Sequence, residues 1–192
     1  KGLKVIYEDD NILFVNKPSG VLSQSGSGGD ISLNEWFCGY LIKNKEISED
    51  SLKIFAPSIA NRLDMNTTGL SVCVKNIFSA REFAAMQREK VLEKKYHAVV
   101  CGIVDRPGSI RYGSKKVSEL VKGKKTFKAV QIEKTDGISL EYEPLKVNKN
   151  ENISLISIKL YDGKMHQIRL QMSRIGHPVI GDYKYGDNRL ND

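Results

Sequence analysis

Apolar residues recur along this chain with two different periods, and each change of period marks an element. Residues 5–7 and 12–16 are short β-branched and aromatic runs on either side of an acidic turn, Glu8-Asp9-Asp10-Asn11, and predict two strands. Pro18 and Gly20 then punctuate the pattern, and residues 25–30 read as a Gly/Ser loop. Ser32 with Glu35 three residues on forms a capping box. Behind it Leu33, Trp36, Phe37, Tyr40 and Leu41 follow helical spacing. Residues 70–74 are a strand-like apolar run, and Ser79 with Glu82 predicts the start of a second helix carrying Phe83, Met86 and Gln87. Residues 95–104, 126–132, 138–142 and 153–160 predict further strands. The last alternates Ile-Ser-Leu-Ile-Ser-Ile, as a half-buried strand does. Residues 165–175 return to the helical period, with apolar side chains at 165, 168, 172 and 175.

Strands outnumber helices in this reading and do not alternate regularly with them. That predicts an α+β fold, with a mixed, mostly antiparallel sheet flanked by a few helices, rather than a doubly wound sheet. A length of 192 residues suits one domain spanning 1–192, and neither an internal repeat nor a low-complexity linker divides it. The hydrophobic share of 40% is enough for a packed core and argues against extended disorder. No apolar run approaches the roughly 18 residues of a membrane span. The first apolar stretch, residues 12–15, is too short for a signal peptide. Cys38, Cys73 and Cys101 are scattered and form no C-x-x-C pair, and the expectation is reduced thiols in a cytoplasmic protein with no metal site.

Charge changes the picture next. The net charge is +7, but residues 1–60 hold six Lys and Arg against eight Asp and Glu, so the basic excess lies entirely in the rest of the chain. Residues 111–128 carry seven basic side chains against Glu119 alone. Such a field suits a polyanion, because each cation placed on a phosphate releases condensed counterions. A solvated lysine-rich loop is the other reading of the same residues.

Three polar stretches can carry chemistry. In Asn61-Arg62-Leu63-Asp64-Met65-Asn66-Thr67-Thr68-Gly69-Leu70, Arg62 and Asp64 share one face of an extended backbone, with Leu63 on the other, before a turn leads into a buried strand. On residue type alone an Arg–Asp pair decorating a loop is the plainer reading. In Asp162-Gly163-Lys164-Met165-His166-Gln167-Ile168-Arg169, Arg169 can orient a carboxylate and His166 can move a proton. Alternatively, His166 and Gln167 satisfy backbone groups at a helix start. In Lys94-Lys95-Tyr96-His97, Tyr96 is either a core aromatic with its hydroxyl at the rim or a stacking and proton-handling group. The chain lacks the phosphate-binding Gly-x-x-x-x-Gly-Lys-Ser/Thr, the Gly-x-Ser-x-Gly elbow and the zinc deaminase signature.

Taken together and in order, these stretches resemble the motifs of RluA-type RNA pseudouridine synthases. Asn16-Lys17-Pro18-Ser19-Gly20 resembles the family's N-K-P-x-G, and Arg62-Leu63-Asp64 with Thr67-Thr68-Gly69-Leu70 its R-L-D-x-x-T-[ST]-G-[LV]. Lys94-Lys95-Tyr96, with Val100 and Gly102, resembles its K-x-Y or K-Y element before V-x-G. Gly163, His166-Gln167-Ile168-Arg169, Gly176-His177-Pro178, Gly181-Asp182 and Tyr185-Gly186 resemble its C-terminal signature. The match runs over about residues 5–186. Asn61 stands where the family most often has His, Lys164 where Arg is usual, and Gln24 where His is frequent.

The resemblance implies a pseudouridine synthase catalytic fold with a central active-site cleft, acting on uridine in structured RNA without a cofactor. Large-subunit ribosomal RNA is the first expected partner and transfer RNA the second; a monomer is expected. Asp64 would act on the ribose or the base, as nucleophile or as proton acceptor. Arg169 would pair with Asp64, Tyr96 would stack on the uracil and help remove the C5 proton, and Ile168 would form an apolar wall. Arg62 would fill the space left by the extruded base. Asn61, His166 and Gln167 would contact substrate, and Lys122, Lys124 and Lys125 would clamp phosphates. Some relatives carry an upstream S4-type RNA-binding domain, and a chain starting at Lys1 rather than Met is compatible with one missing here. The alternative is a non-catalytic RNA-binding or ribosome-assembly protein on the same fold.

Overall fold

Alternation and capping account for most of the first half of the chain. The computed structural model describes residues 3–26, 31–121, 124–134, 139–161 and 163–186, by backbone alone at 113–114, 124–125 and 133–134. The chain divides into two units, Lys1–Val91 and Leu92–Asp192.

In the first unit, β1 (Lys4–Glu8) and β2 (Ile12–Lys17) form the expected hairpin. Asp9 closes its turn by accepting the N–H groups of Asn11 and Ile12, both at 2.8 Å. β3 (Ser58–Ile59) and β4 (Gly69–Val74) complete an antiparallel sheet in the order β1-β2-β4-β3. Helix α1 (Leu33–Lys43) starts where the capping box predicts, with the Glu35 carboxylate accepting the Ser32 N–H at 2.6 Å. Its Leu33, Phe37 and Leu41 bury against Leu13 and Val15 of β2 and Cys73 of β4. Each such side chain stabilises the fold by roughly 1.5–3 kcal/mol when fully buried.

Helix α2 (Ile77–Arg88) corrects one expectation. Its N-cap is Asn76, not Ser79. The Asn76 side chain accepts the Ser79 N–H at 3.0 Å while the Ser79 hydroxyl accepts the Asn76 N–H at 3.4 Å. Ser79 thus occupies the third helical position, the place a Glu usually takes in a capping box. The amide of Asn76 caps as well as a hydroxyl does, so the helix begins earlier than Ser79 and Glu82 suggest.

The second unit is built on β5 (Lys94–Cys101), β6 (Gly108–Ile110), β9 (Leu140–Asn148) and β10 (Ile153–Leu160), in the antiparallel order β5-β10-β9-β6. β10 alternates as its sequence requires, with Ser154, Ile156, Ile158 and Leu160 on the buried face. β9 runs past the predicted strand end through Pro144, with a register shift where β10 passes from Leu155 to Ile156. An irregularity accommodates a residue that has no N–H to give the ladder. β5 stops sooner than predicted: Gly102 takes φ +83, a turn conformation, after Cys101.

Helix α3 (Gln167–Arg174) sets Met172 into the core of this unit, with Ile168 and Ile175 packed beside it. β7 (Tyr112–Val121) and β8 (Lys124–Lys134) form a two-stranded hairpin. The basic stretch at 111–128 is therefore largely strand, where its charge suggested a loop and apolar periodicity marked only 126–132. Cross-strand pairing explains the difference. Lys116 lies over the Phe127 ring at 3.9 Å, and Lys128 pairs with Glu119. Cross-strand neighbours thus offset the two charges, one by an aromatic face and one by a carboxylate.

Candidate active site

In the first unit, Asp64 follows a strand-like stretch whose faces alternate as the sequence implied. Arg62 is exposed, Leu63 is buried and Asp64 is half-buried. What holds this stretch is a set of contacts to its main chain. The Ser23 hydroxyl, itself buried, accepts the Leu63 N–H at 3.0 Å and donates to the Leu63 carbonyl at 2.7 Å. The Asp64 carbonyl accepts the Thr67 N–H at 3.0 Å and closes a turn. The Met65 carbonyl accepts both the Gly20 N–H and the Lys17 ammonium, each at 3.0 Å. Ser19 donates to the Asn66 carbonyl at 3.3 Å. Four consecutive carbonyls, from Leu63 to Asn66, are thus engaged, three of them by residues 17–23.

Lys17 is the centre of this cradle and was not assigned a role by sequence. It is fully buried, and its ammonium donates to Pro18 O at 3.0 Å, Val21 O at 2.8 Å and Met65 O at 3.0 Å. Burial pushes its pKa down and the nearby Asp64 charge pushes it up; burial wins. Desolvating a lone ammonium costs several kcal/mol, so the three carbonyls and the Asp64 charge are what keep it there. A signal was present: Leu13, Val15 and Lys17 alternate along β2, which puts Lys17 on the buried face.

Asn61, expected from its motif position to contact substrate, lies against β4. Its amide accepts the Val72 N–H at 2.6 Å and donates to the Leu70 carbonyl at 3.0 Å, pinning the stretch to the edge of β4.

In the second unit, Tyr96 on β5 is half-buried and packs, with Ile168, against the cluster around Ile156, Ile158 and Met172. Arg169 is gripped by Asp182: Nε donates to Oδ2 at 2.7 Å and Nη2 to Oδ1 at 2.8 Å. His166 is the N-cap of α3, in a left-handed conformation with φ 51 and ψ 28, and its Nδ1 lies 2.9 Å from the Tyr185 hydroxyl. Gln167 is buried and braces the helix start, accepting the Lys164 N–H at 3.0 Å and donating to Ser139 O at 3.2 Å. Gln171, one turn on, donates to the Ser139 hydroxyl at 2.9 Å and to the Tyr112 carbonyl. Helix α3 is thereby stitched to the base of the β7–β8 hairpin.

Lys122 lies outside the described residues, and Lys124 and Lys125 are described only as backbone at the start of β8. Asp162 also lies outside them. Among the described residues no group of three or more His, Cys, Asp or Glu could hold a metal ion, and no helix is long and apolar enough to cross a membrane.

Comparison with known proteins bears on these residues. A family model described as RNA pseudouridylate synthase matches residues 11–174. The chain is 31% identical over 189 residues to ribosomal large subunit pseudouridine synthase C of Rickettsia prowazekii (strain Madrid E), covering 97% of this chain and 57% of that protein. It is 35% identical over 189 residues to ribosomal large subunit pseudouridine synthase D of Borreliella burgdorferi, covering 96% and 55%. The chain thus spans little more than half the length of these relatives. Among solved structures, human RNA pseudouridylate synthase domain containing 1 superposes with a TM-score of 0.68 at 20% identity, over 97% of this chain and 70% of that one, which shows a shared fold.

Proposed function

The chain belongs to the RNA pseudouridylate synthase family, RluA type, and on that premise we propose that it isomerises uridine to pseudouridine in structured RNA. Large-subunit ribosomal RNA is the first candidate substrate, on the names of the relatives, and transfer RNA the second. In this reading the chain acts in the cytoplasm, as a monomer.

The observation that carries the reading is the Asp64 stretch. A half-buried carboxylate sits on a turn whose main chain is held from Leu63 to Asn66. Positioning a reacting group in this way removes orientational freedom that would otherwise be lost at the transition state. In the reaction the C1′–N1 bond breaks, the uracil turns, and C1′ joins C5. The C5 proton leaves and N1 takes one up, so the product is an isomer and no redox partner is needed. Asp64 acts on the ribose or the base, as nucleophile or as proton acceptor. Tyr96 stacks on the uracil and helps move the C5 proton, Ile168 gives an apolar wall, and Arg169 supplies positive charge. Arg62, exposed beside Asp64, occupies the space left by the extruded base, whose extrusion costs a few kcal/mol. The β7–β8 hairpin supplies phosphate contacts, which give affinity more than sequence choice.

The test is to incubate the chain with large-subunit ribosomal RNA and with transfer RNA and to map new pseudouridines by chemical labelling and primer extension. Wild type should convert specific uridines, and Asp64→Asn should lose about 10³-fold or more in single-turnover rate while keeping RNA affinity, the scale of removing a reacting group. No conversion of either RNA by wild type, or an Asn variant within tenfold of it, would overturn the reading.

A further inference from the structure

Arg169 enters the proposed reaction as a source of positive charge, yet a guanidinium on a flexible stem is useful only if its direction is set. In this structure the direction is set from two sides. Asp182 takes its Nε/Nη2 edge with a bidentate pair at 2.7 and 2.8 Å. The Tyr185 ring faces the guanidinium carbon at 5.3 Å. The Asp182 side chain is 3% exposed, against 27% for Arg169, so the carboxylate is the fixed member and the arginine the presented one.

Asp182 is itself held by the turn it organises. Its Oδ1 accepts the backbone N–H of Lys184 at 2.9 Å and of Tyr185 at 3.2 Å, and its carbonyl accepts the Gly186 N–H at 2.8 Å. The same turn delivers Tyr185, whose carbonyl accepts the Ser173 hydroxyl of α3 at 2.5 Å. The Tyr185 hydroxyl accepts the Ala129 N–H of β8 at 2.8 Å and lies 2.9 Å from His166 Nδ1. One short segment therefore sets two surfaces that confine the arginine.

We propose that Asp182 is a positioning residue for the reaction: it acts through Arg169, fixing one edge of the guanidinium so that the opposite edge points in a single direction. This rests on the proposed pseudouridine synthase reading for its kinetic consequence, but not for its geometric one. Planar, two-point recognition is what distinguishes an arginine from a lysine at such a place, since an ammonium has no edge to fix.

Three measurements on the full chain test it. In the wild-type protein, nitrogen-15 NMR should show a slowly exchanging Arg Nε–H, assigned to Arg169 by its loss in Arg169→Lys. Asp182→Asn retains an acceptor for the Lys184 and Tyr185 N–H groups but not the charge, and should abolish that protected signal. Its single-turnover rate should fall about 10²-fold, the scale of an ångström-level misplacement, with RNA affinity within twofold of wild type. In the Arg169→Lys background the same Asn substitution should cost less than threefold, because the residue it acts through is already gone.

An equal loss in both backgrounds would make Asp182 a merely structural residue and overturn the inference. So would an unchanged Nε–H signal in Asp182→Asn, or a wild-type spectrum with no protected Arg169 Nε–H. Should Asp182→Asn not fold, Asp182→Ser, which also keeps a turn acceptor, takes its place in all three measurements. If wild type modifies no RNA, the functional reading fails while the NMR measurement still decides the placement of Arg169.

Discussion

Asp64 and Arg169 are the two charged groups the proposed chemistry needs most, and the contacts described at the two places differ in kind. At the Asp64 stretch, Ser23, Gly20, Lys17 and Ser19 engage the backbone from Leu63 to Asn66. Around Arg169 the contacts are to the side-chain head itself, through Asp182 and the Tyr185 ring. The difference follows from side-chain length. A short aspartate is placed once its backbone is placed. An arginine has several rotatable bonds beyond the backbone and must be caught at its far end.

The sharpest way to break the first arrangement is Lys17→Met. It removes the donor from Pro18 O, Val21 O and Met65 O together, while keeping the length of the buried side chain. Turnover should fall about 10²-fold or more, as expected when a reacting group is displaced, with RNA affinity little changed. Single-turnover rates beside binding isotherms check this; a rate within threefold of wild type would mean that Ser23 and the Asp64–Thr67 turn suffice.

Tyr96→Phe comes next. Tyr96 is packed against the core by its ring, so the substitution keeps the packing and removes only the hydroxyl. A loss of about 10²-fold would assign that hydroxyl a proton-transfer role. An unchanged rate would make Tyr96 a platform alone.

Acid should separate the two arrangements by a smaller margin. Burial opposes ionisation of Asp182, but the hydrogen bonds from Arg169, Lys184 and Tyr185 and the Arg169 charge outweigh it and hold the carboxyl below its ordinary range. A group lowered on folding contributes stability above its unfolded value, about 3.9 for Asp. That contribution is lost as pH falls through the folded value. Thermal midpoints measured downward from about pH 5 should therefore drop in wild type and drop less steeply in Asp182→Asn. Parallel curves would show that Asp182 carries no such linkage.

The smallest effect concerns affinity alone. Neutralising Lys122, Lys124 and Lys125 should weaken binding to all RNAs alike and flatten the slope of log affinity against log salt by roughly 0.7 per lost contact on single strands. Rates at saturating enzyme should hold. A wild-type slope would move the phosphate clamp elsewhere on the basic part of the chain.

Much of this was legible in the residues themselves. Alternation in β2 and β10, the Ser32–Glu35 box of α1 and the apolar stripe of α3 are local signals, and local signals determine local structure. The ordered motifs nominated Asp64, Tyr96 and Arg169 through their resemblance to those of the RluA-type family. What needed the tertiary structure were partners far apart in sequence. Lys17 meets Met65, Ser23 meets Leu63, Arg169 meets Asp182, and Tyr185 meets Ala129. No spacing rule links such pairs, because loops and sheet registers decide which distant groups become neighbours. Asn61 makes the same point: its motif position suggested substrate, and the fold adds that its amide also joins two backbone groups of β4. The hairpin β7–β8 shows the reverse case, where a lysine-rich sequence hides a strand in which the cross-strand neighbours Phe127 and Glu119 take up the charges of Lys116 and Lys128. Local pattern determined the elements, and the resemblance of the ordered motifs nominated the reactive groups; the buried hydrogen-bonding requirements of the folded chain decided what holds those residues still.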